Sequence, residues 1–309
     1  MNLVRVIYER GITVRIIGTE WHVVNLSGSR SEKIDHPALI TARYGVQPVV
    51  VTQRFGKDKT IDMLLRKTTP ASFGLEVTDV RQRVPMTSPA FFKGLNLTYL
   101  LQAVQYHCTQ LALLYSRNCE RYSEFPFAES NDHNIVLFQG EPESYFEFDA
   151  LVTAVRRAYD SCRYLLWQYF GPGCGHTPSS FHKTLPLCRD LPKHLAERME
   201  TSWSTYGEEI TEYRDCIQHY VPLDFGNSSI HMEKLDNGAW SARVLIPDNP
   251  SAKARGKFLY ATKRDALTYG WVVSNEILEV AKAMVDAITD QENSATDVQI
   301  PQPGNAADR

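Results

Sequence analysis

The chain has 309 residues, of which 43% are hydrophobic and 22% are charged, and its formal net charge is −3. These values are ordinary for a soluble globular protein with one large domain or two smaller ones. No stretch has the length and apolar content of a membrane span, and the first ten residues lack a signal-peptide pattern. The composition therefore argues against an integral membrane protein and predicts a cytoplasmic location.

The N-terminal region, residues 1–92, is expected to be rich in β-structure. β-Branched residues dominate residues 3–7, 13–17 and 49–52, and glycines separate these runs. Residues 1–93 hold fourteen Lys and Arg against eight Asp and Glu, whereas the remainder holds nineteen against twenty-eight. A basic region beside an acidic body is compatible with nucleic-acid contact by the basic part. Scattered surface charge is the simpler alternative, because the region has no dense run of Lys and Arg.

The pattern turns helical after this region, and residues 93–290 are expected to form one helical domain. Apolar residues follow helical spacing over 95–117, 144–170, 192–206, 208–220 and 262–290. The polar segment 120–140 is predicted to be a loop. Two alternating segments flank Asp236-Asn237-Gly238, and Asn-Gly favours a tight turn, so a β-hairpin is predicted at about 229–246. The polar tail, residues 291–309, is expected to be disordered.

Neither a metal site nor a cofactor is predicted. None of the six cysteines belongs to a Cys-x-x-Cys pair. Cys174 and His176 share a glycine-rich segment, but no second pair lies nearby to complete the four ligands that zinc takes. The chain also has no phosphate-binding glycine loop, no nucleophile elbow and no His-Glu-x-x-His motif. The candidate chemistry therefore rests on one short segment of the helix over 208–220.

That segment contains Arg214 and His219, separated by four residues, with Asp215 directly after the arginine. Histidine transfers protons near neutral pH, and a guanidinium binds phosphate through paired hydrogen bonds. Cleavage of an RNA phosphodiester needs both capacities. What distinguishes this pair is its setting in an amphipathic helix, since similar spacings recur at Arg15 and His22, Arg30 and His36, and Arg189 and His194.

Arginine, a polar residue, three further residues and histidine resemble the signature of the HEPN family (higher eukaryotes and prokaryotes nucleotide-binding domains). The resemblance implies a helical bundle that acts as a homodimeric, metal-independent endoribonuclease, often a toxin or antiviral defence effector. It also implies RNA as the substrate and an antitoxin or regulatory protein as a partner. The expected fold is then α+β: a mainly helical HEPN-like bundle with a β-hairpin insertion, preceded by the β-rich N-terminal region.

The resemblance also implies roles for individual residues. Arg214 binds the scissile phosphate, and His219 transfers protons or activates the 2′-hydroxyl that distinguishes RNA from DNA. Asp215 or Tyr220 positions them, although an ionised Asp215 has a second expected effect, the repulsion of phosphate. The chain differs from the commoner pattern at Asp215, where asparagine is more frequent, and at Val221, where many toxin members carry tyrosine.

Helix 144–170 offers further candidates on its polar sides. Asp160 is a candidate to orient Arg214, while Arg157 and Arg163 are candidates for RNA contacts. An alternative needs no active site: His219 caps its helix, and Arg214 pairs with a distant carboxylate such as Asp160. A non-catalytic HEPN-like interaction or sensor protein, or a nucleotide-binding protein, is the alternative function. Five helical positions separate the side chains by roughly 140°, so a site on a single helix is not expected. The pair fits an active site better if the helix ends at His219, or if two copies meet across a symmetric dimer and form a composite site.

Overall fold

The computed structural model describes five strands between residues 4 and 53, residues 75, 77 and 78, and the ranges 91–123, 134–137, 142–172, 175–224, 229–234 and 240–297. Over these residues the protein is α+β and mostly helical. No helix among them combines the length and hydropathy needed to cross a membrane. The last helix continues to residue 297, so the first part of the predicted tail is helical, while residues 298–309 lie outside the described ones.

Five antiparallel strands form the N-terminal sheet, in the order β4-β3-β2-β1-β5. The strands are β1 (Val4–Tyr8), β2 (Thr13–Ile17), β3 (Glu20–Val24), β4 (Ser31–Ile34) and β5 (Pro48–Gln53). Val6 of β1 lies opposite Val14 on one side and Val51 on the other. β1, β2 and β5 coincide with the three β-branched runs, because such residues fit a pleated surface. The more polar β3 and β4 carry a weaker signal.

The described residues include six α-helices. They are α1 (Phe91–Ser123), α2 (Glu143–Phe170), α3 (Phe181–Thr184), α4 (Lys193–Ser202), α5 (Glu208–His219) and α6 (Ala266–Asp297). Gly171 and Pro172 follow the end of α2, as expected of residues that do not extend a helix. Asp265 begins α6, because its carboxylate accepts the Thr268 backbone N–H at 2.9 Å.

α4 and α5 belong to one unbroken helical run. Five residues in π conformation, Trp203–Gly207, join the two α-helices. The sequence predicts two helices here, and the structure joins them through this wider turn. Gly207 makes the turn possible, since a Cβ at this position would lie 2.4 Å from Cε3 of the Trp203 indole. π-Turns are uncommon and cluster at functional sites.

A second, three-stranded antiparallel sheet has the order β6-β7-β8. Its strands are β6 (Asn134–Leu137), β7 (Ile230–Lys234) and β8 (Trp240–Arg243). β7 and β8 pair as the predicted hairpin, while its turn lies outside the described residues. The loop predicted over 120–140 is wrong in the two parts of that segment that the structure describes. Helix α1 extends to Ser123, and residues 134–137 form β6, which pairs with β7. A four-residue strand whose partner is far away in sequence leaves little local signal.

Two compact units make up the chain, and residues 93–290 contribute to both. The first unit comprises Met1–Glu76, Ala103–Arg156 and Glu209–Asn275. Its core is organised around the buried residues Tyr115 and Asp265. The Tyr115 hydroxyl donates to Asp265 Oδ1 at 2.6 Å and accepts the Val244 N–H at 2.9 Å. The same carboxylate that begins α6 therefore also fixes α1 and the end of β8.

The second unit comprises Val77–Gln102, Arg157–Glu208 and Glu276–Arg309. An aromatic cluster lies in its core: Phe181 stacks on Trp203 with 5.3 Å between ring centroids, and Tyr159 meets Trp203 edge-on at 5.5 Å. Arg198 adds a two-armed salt bridge to Glu276, at 2.6 and 2.9 Å. Aromatic packing and a bidentate ion pair therefore stabilise this unit.

Candidate functional site

Three buried side chains anchor α5 in the first unit. Ile210, Tyr213 and Cys216 each expose none of their surface. The Tyr213 hydroxyl donates to the Pro247 carbonyl at 2.5 Å, and Arg264 donates to that hydroxyl at 3.1 Å. These three residues form one buried stripe along α5, which reaches the last turns of the helix at Cys216. The polar side chains on either flank of this stripe are held by a fixed helix.

Arg214 lies on one flank, and its side chain is 25% exposed. Its Nη1 donates to Gln218 Oε1 at 3.1 Å, one helical turn further on. Its Nε lies 3.2 Å from Asp215 Oδ1, within ion-pair distance but without hydrogen-bond geometry. Among the described residues, the partners of the guanidinium are therefore local, and no distant carboxylate pairs with it. Asp215 offsets part of its positive charge.

His219 lies at the C-terminal end of α5 and is exposed. The helix ends there because Cys216 O accepts both the Tyr220 N–H at 2.9 Å and the Val221 N–H at 3.1 Å, and Pro222 follows. The His219 and Tyr220 rings meet edge-on, with 6.4 Å between centroids. Since Arg214 and His219 are five positions apart, roughly 140° of rotation separates them about the axis. One α5 thus presents the pair on opposite flanks of its buried stripe.

Lys253 also belongs to this end of the helix, although sequence reasoning did not identify it. Its Nζ lies 4.8 Å from the centroid of the Tyr220 ring and donates to the Tyr220 hydroxyl at 3.5 Å. Tyr220 is 53% exposed, so this cation–π contact is at the surface. Lys253 consequently contacts the residue that directly follows His219. The available signal was the alternation of Lys253, Arg255 and Lys257 in a segment that otherwise resembles a structural turn.

The carboxyl groups of Asp149 and Asp224 interact, and Asp149 also acts on Cys216. Burial, and secondly the charge of Asp224, raise the pKa of Asp149 to about 7. Asp224 is itself buried and forms a salt bridge with Arg255. Burial also raises the pKa of the Cys216 thiol, and the charge of Asp149 adds to this effect. This cluster was not predicted, because its members come from α2, α5 and two loops.

The candidates on helix α2 at Arg157, Asp160 and Arg163 belong to the second unit. Asp160 Oδ1 lies 3.3 Å from Nη2 of Arg163, one helical turn further on. The Arg163 side chain is buried, donates to the Pro178 carbonyl and lies 4.6 Å from the Tyr164 ring centroid. Arg163 therefore fixes the segment that follows α2. Arg157 is exposed to solvent.

Among the described residues, no group of three or more His, Cys, Asp or Glu side chains has the arrangement of a metal site. Comparisons of the chain with protein-family models, with curated proteins and with solved structures found no match. The side chains at the end of α5 are therefore the candidates for function.

Proposed function

We propose that the protein is a metal-independent endoribonuclease that acts as a homodimer. Arg214 binds the scissile phosphate, and His219 transfers protons. Asp215 holds the guanidinium, and Tyr220 lies against the histidine ring. Two features support this function: the HEPN-like signature of the sequence, and the position of a half-buried Arg214 and an exposed His219 on a firmly packed helix.

The observation that carries the proposal is the position of Arg214 and His219 on opposite flanks of α5. Side chains about 140° apart on a regular helix are poorly placed to reach the same phosphate. Two copies related by a two-fold axis can bring the arginine of each beside the histidine of the other. The helical geometry therefore favours a composite site in a dimer, and we expect RNA cleavage to depend on dimerisation.

The chemistry requires no metal ion in this proposal. His219 accepts the proton of the 2′-hydroxyl as O2′ forms its bond to phosphorus. The bond from phosphorus to the 5′-oxygen breaks, and the leaving oxygen takes up a proton. Arg214 stabilises the negative charge that develops on the phosphate oxygens. The products are a 2′,3′-cyclic phosphate on one fragment and a 5′-hydroxyl on the other.

The test is incubation of the purified protein with labelled mixed RNA in EDTA. We expect the parent to cleave RNA, and Arg214→Ala and His219→Ala to lose cleavage while remaining folded. The chain offers a matched control in Arg189→Ala and His194→Ala, since these exposed residues have the same spacing and the same Arg-Asp start. New 5′-hydroxyl ends, detected by enzymatic phosphorylation, identify the reaction. Full activity in both α5 variants would refute the assignment.

A second candidate is phosphate binding without cleavage. The local partner Asp215 and the separation of Arg214 from His219 both favour it, because a lone arginine can hold a phosphate without a base beside it. Such a protein would bind a nucleotide, or act as a non-catalytic interaction or sensor protein. Thermal stabilisation by nucleotides, lost in Arg214→Ala and accompanied by intact RNA, would favour this alternative.

A further inference from the structure

The segment 249–264, here termed the basic loop, concentrates positive charge. It contains Lys253, Arg255, Lys257, Lys263 and Arg264, and its two acidic neighbours, Asp248 and Asp265, flank it directly, in a chain whose formal net charge is −3. All but Arg264 are exposed. Two of the five cations are neutralised, because Arg255 pairs with Asp224 and Arg264 pairs with Glu209. The described residues provide no carboxylate partner within ion-pair distance for the other three, which are lysines.

Hydrogen bonds hold the two limbs of the basic loop together. The Asp248 N–H donates to the Leu259 carbonyl at 2.7 Å, and the Leu259 N–H donates to Asn249 Oδ1 at 2.7 Å. Asn249 Nδ2 donates to the Lys257 carbonyl at 3.1 Å, and the Thr262 N–H donates to Asp248 Oδ2 at 2.9 Å. The lysines are consequently displayed on a braced surface loop, which reduces the ordering cost of binding a ligand.

The backbone at two of these lysines is in the left-handed region. Lys253 has a φ of 54° and Lys263 a φ of 50°, and they are the only non-glycine residues with positive φ among those described. Glycine is the residue favoured by this conformation, and strained non-glycine positions cluster at functional sites. The backbone conformation therefore does not explain why lysine occupies both positions. What lysine offers there, and glycine does not, is its ammonium group.

The basic loop is continuous with the candidate ribonuclease site. Lys253 Nζ lies 4.8 Å from the Tyr220 ring centroid, and Tyr220 follows His219 directly. A strand of RNA whose cleaved phosphate lies at α5 would place its neighbouring phosphates within this positive field. An aromatic ring beside cations is also a frequent arrangement in proteins that bind single-stranded nucleic acid.

We propose that the basic loop binds the backbone phosphates of single-stranded RNA next to the cleavage site, through Lys253, Lys257 and Lys263. The inference rests on the proposed ribonuclease function for the identity of the ligand. It adds a binding element that is separate from Arg214 and His219 in the sequence. Because phosphate contacts carry no sequence information, the loop contributes affinity that is independent of base sequence.

The test measures binding apart from cleavage. A fluorescent single-stranded RNA with 2′-O-methyl groups lacks the attacking hydroxyl, so the parent binds it without turnover, and anisotropy gives the affinity. The variants are Lys253→Gly, Lys257→Ala and Lys263→Gly, singly and combined. Glycine suits the positive φ of the first and third, so these variants are expected to fold at least as well as the parent. Lys193→Ala, an exposed lysine of the second unit, is the control.

Each substitution in the loop is expected to weaken binding roughly three- to tenfold and to reduce the slope of log affinity against log salt by about one. His219→Ala should fail to cleave ordinary RNA. Parental affinity and salt slope in the triple variant would overturn the inference, even if the parent is a ribonuclease. An equal loss of affinity for duplex DNA would overturn the assignment to RNA. Weakened binding without any RNA cleavage would contradict the ribonuclease function alone.

Discussion

The hydroxyl of Tyr115 and the carboxylate of Asp265, which lie in different helical regions of the first unit, are joined by a buried 2.6 Å hydrogen bond. The same hydroxyl accepts the backbone N–H of Val244 at 2.9 Å and that of Leu267 at 3.3 Å. One phenol therefore satisfies three buried polar groups. Burial, followed by the charge of Asp265, raises the pKa of Tyr115 well above its usual value, so this phenol is a permanent donor.

Tyr115→Phe is expected to destabilise the protein by about 1–3 kcal/mol, because it leaves buried donors and an acceptor without their common partner. The free energy of unfolding from chemical denaturation measures the effect. Tyr106→Phe, at a position 57% exposed on the same helix, is the control and should change it little. Equal stability of the two variants would show that water replaces the lost hydroxyl.

The stability of the first unit is expected to fall as the pH rises from about 4 to about 7. Asp149 has a pKa raised to about 7 by burial and by Asp224, so the folded state holds a proton that the unfolded chain releases near 3.8. Its contribution is therefore fully present below the unfolded pKa and is lost as the pH passes through the folded pKa.

Asp149→Asn should flatten this pH dependence and stabilise the protein relative to the parent at pH 8, by at most about 4 kcal/mol for a shift of this size. Denaturation curves at pH 4, 6 and 8 measure it. Glu200→Gln, an exposed carboxylate of the second unit, is the matched control. If the stability of Asp149→Asn has the same pH dependence as that of the parent, Asp149 is not the source of that dependence.

Gly207→Ala is expected to destabilise the second unit by about 1–3 kcal/mol through overpacking. The added methyl group would lie 2.4 Å from Cε3 of Trp203, whose indole is stacked on Phe181 and cannot shift freely. Gly256→Ala is the control, since nothing lies within 4 Å of a Cβ at that position. The midpoint of denaturation measures both, and an unchanged midpoint in Gly207→Ala would mean that the π-turn rearranges easily.

The thiols of Cys108 and Cys162 are expected to resist alkylation in the native protein. Both are fully buried, and burial raises the pKa of each to about 12, so the reactive thiolate is scarce at pH 8. Mass spectrometry after treatment with iodoacetamide locates the modified residues, and unfolding in denaturant should expose both. Rapid labelling of either thiol in the native state would indicate local opening of its helix.

The sequence could predict elements whose signal is local. Long runs of apolar residues at helical spacing located α1, α2 and α6, and Asn-Gly located the β7–β8 hairpin. β6 was missed because four residues have no periodicity to measure, and their partner β7 is distant in the chain. The π-turn was missed because Gly207 looks like a helix break until its contact with Trp203 is known.

The candidate site was predictable only in part. A motif search finds Arg214 and His219, since it needs only residue types and spacing. The partners of Arg214 depend on the rotamer of its side chain, which the sequence does not specify. In the structure the guanidinium contacts Asp215 and Gln218. Lys253 and Asp149 reach the end of α5 from a later loop and an earlier helix, so their proximity is a property of the tertiary structure.

The pairing of β6 with β7 has a consequence for the order of events during synthesis. Between these strands the chain contributes Arg157–Glu208 to the other unit. The ribosome must therefore release all of this segment before β7 can pair with β6. Tyr213 in turn needs Pro247 and Arg264 to anchor α5. The nascent chain thus cannot hold the end of α5 in its final setting until most of the polypeptide has been made.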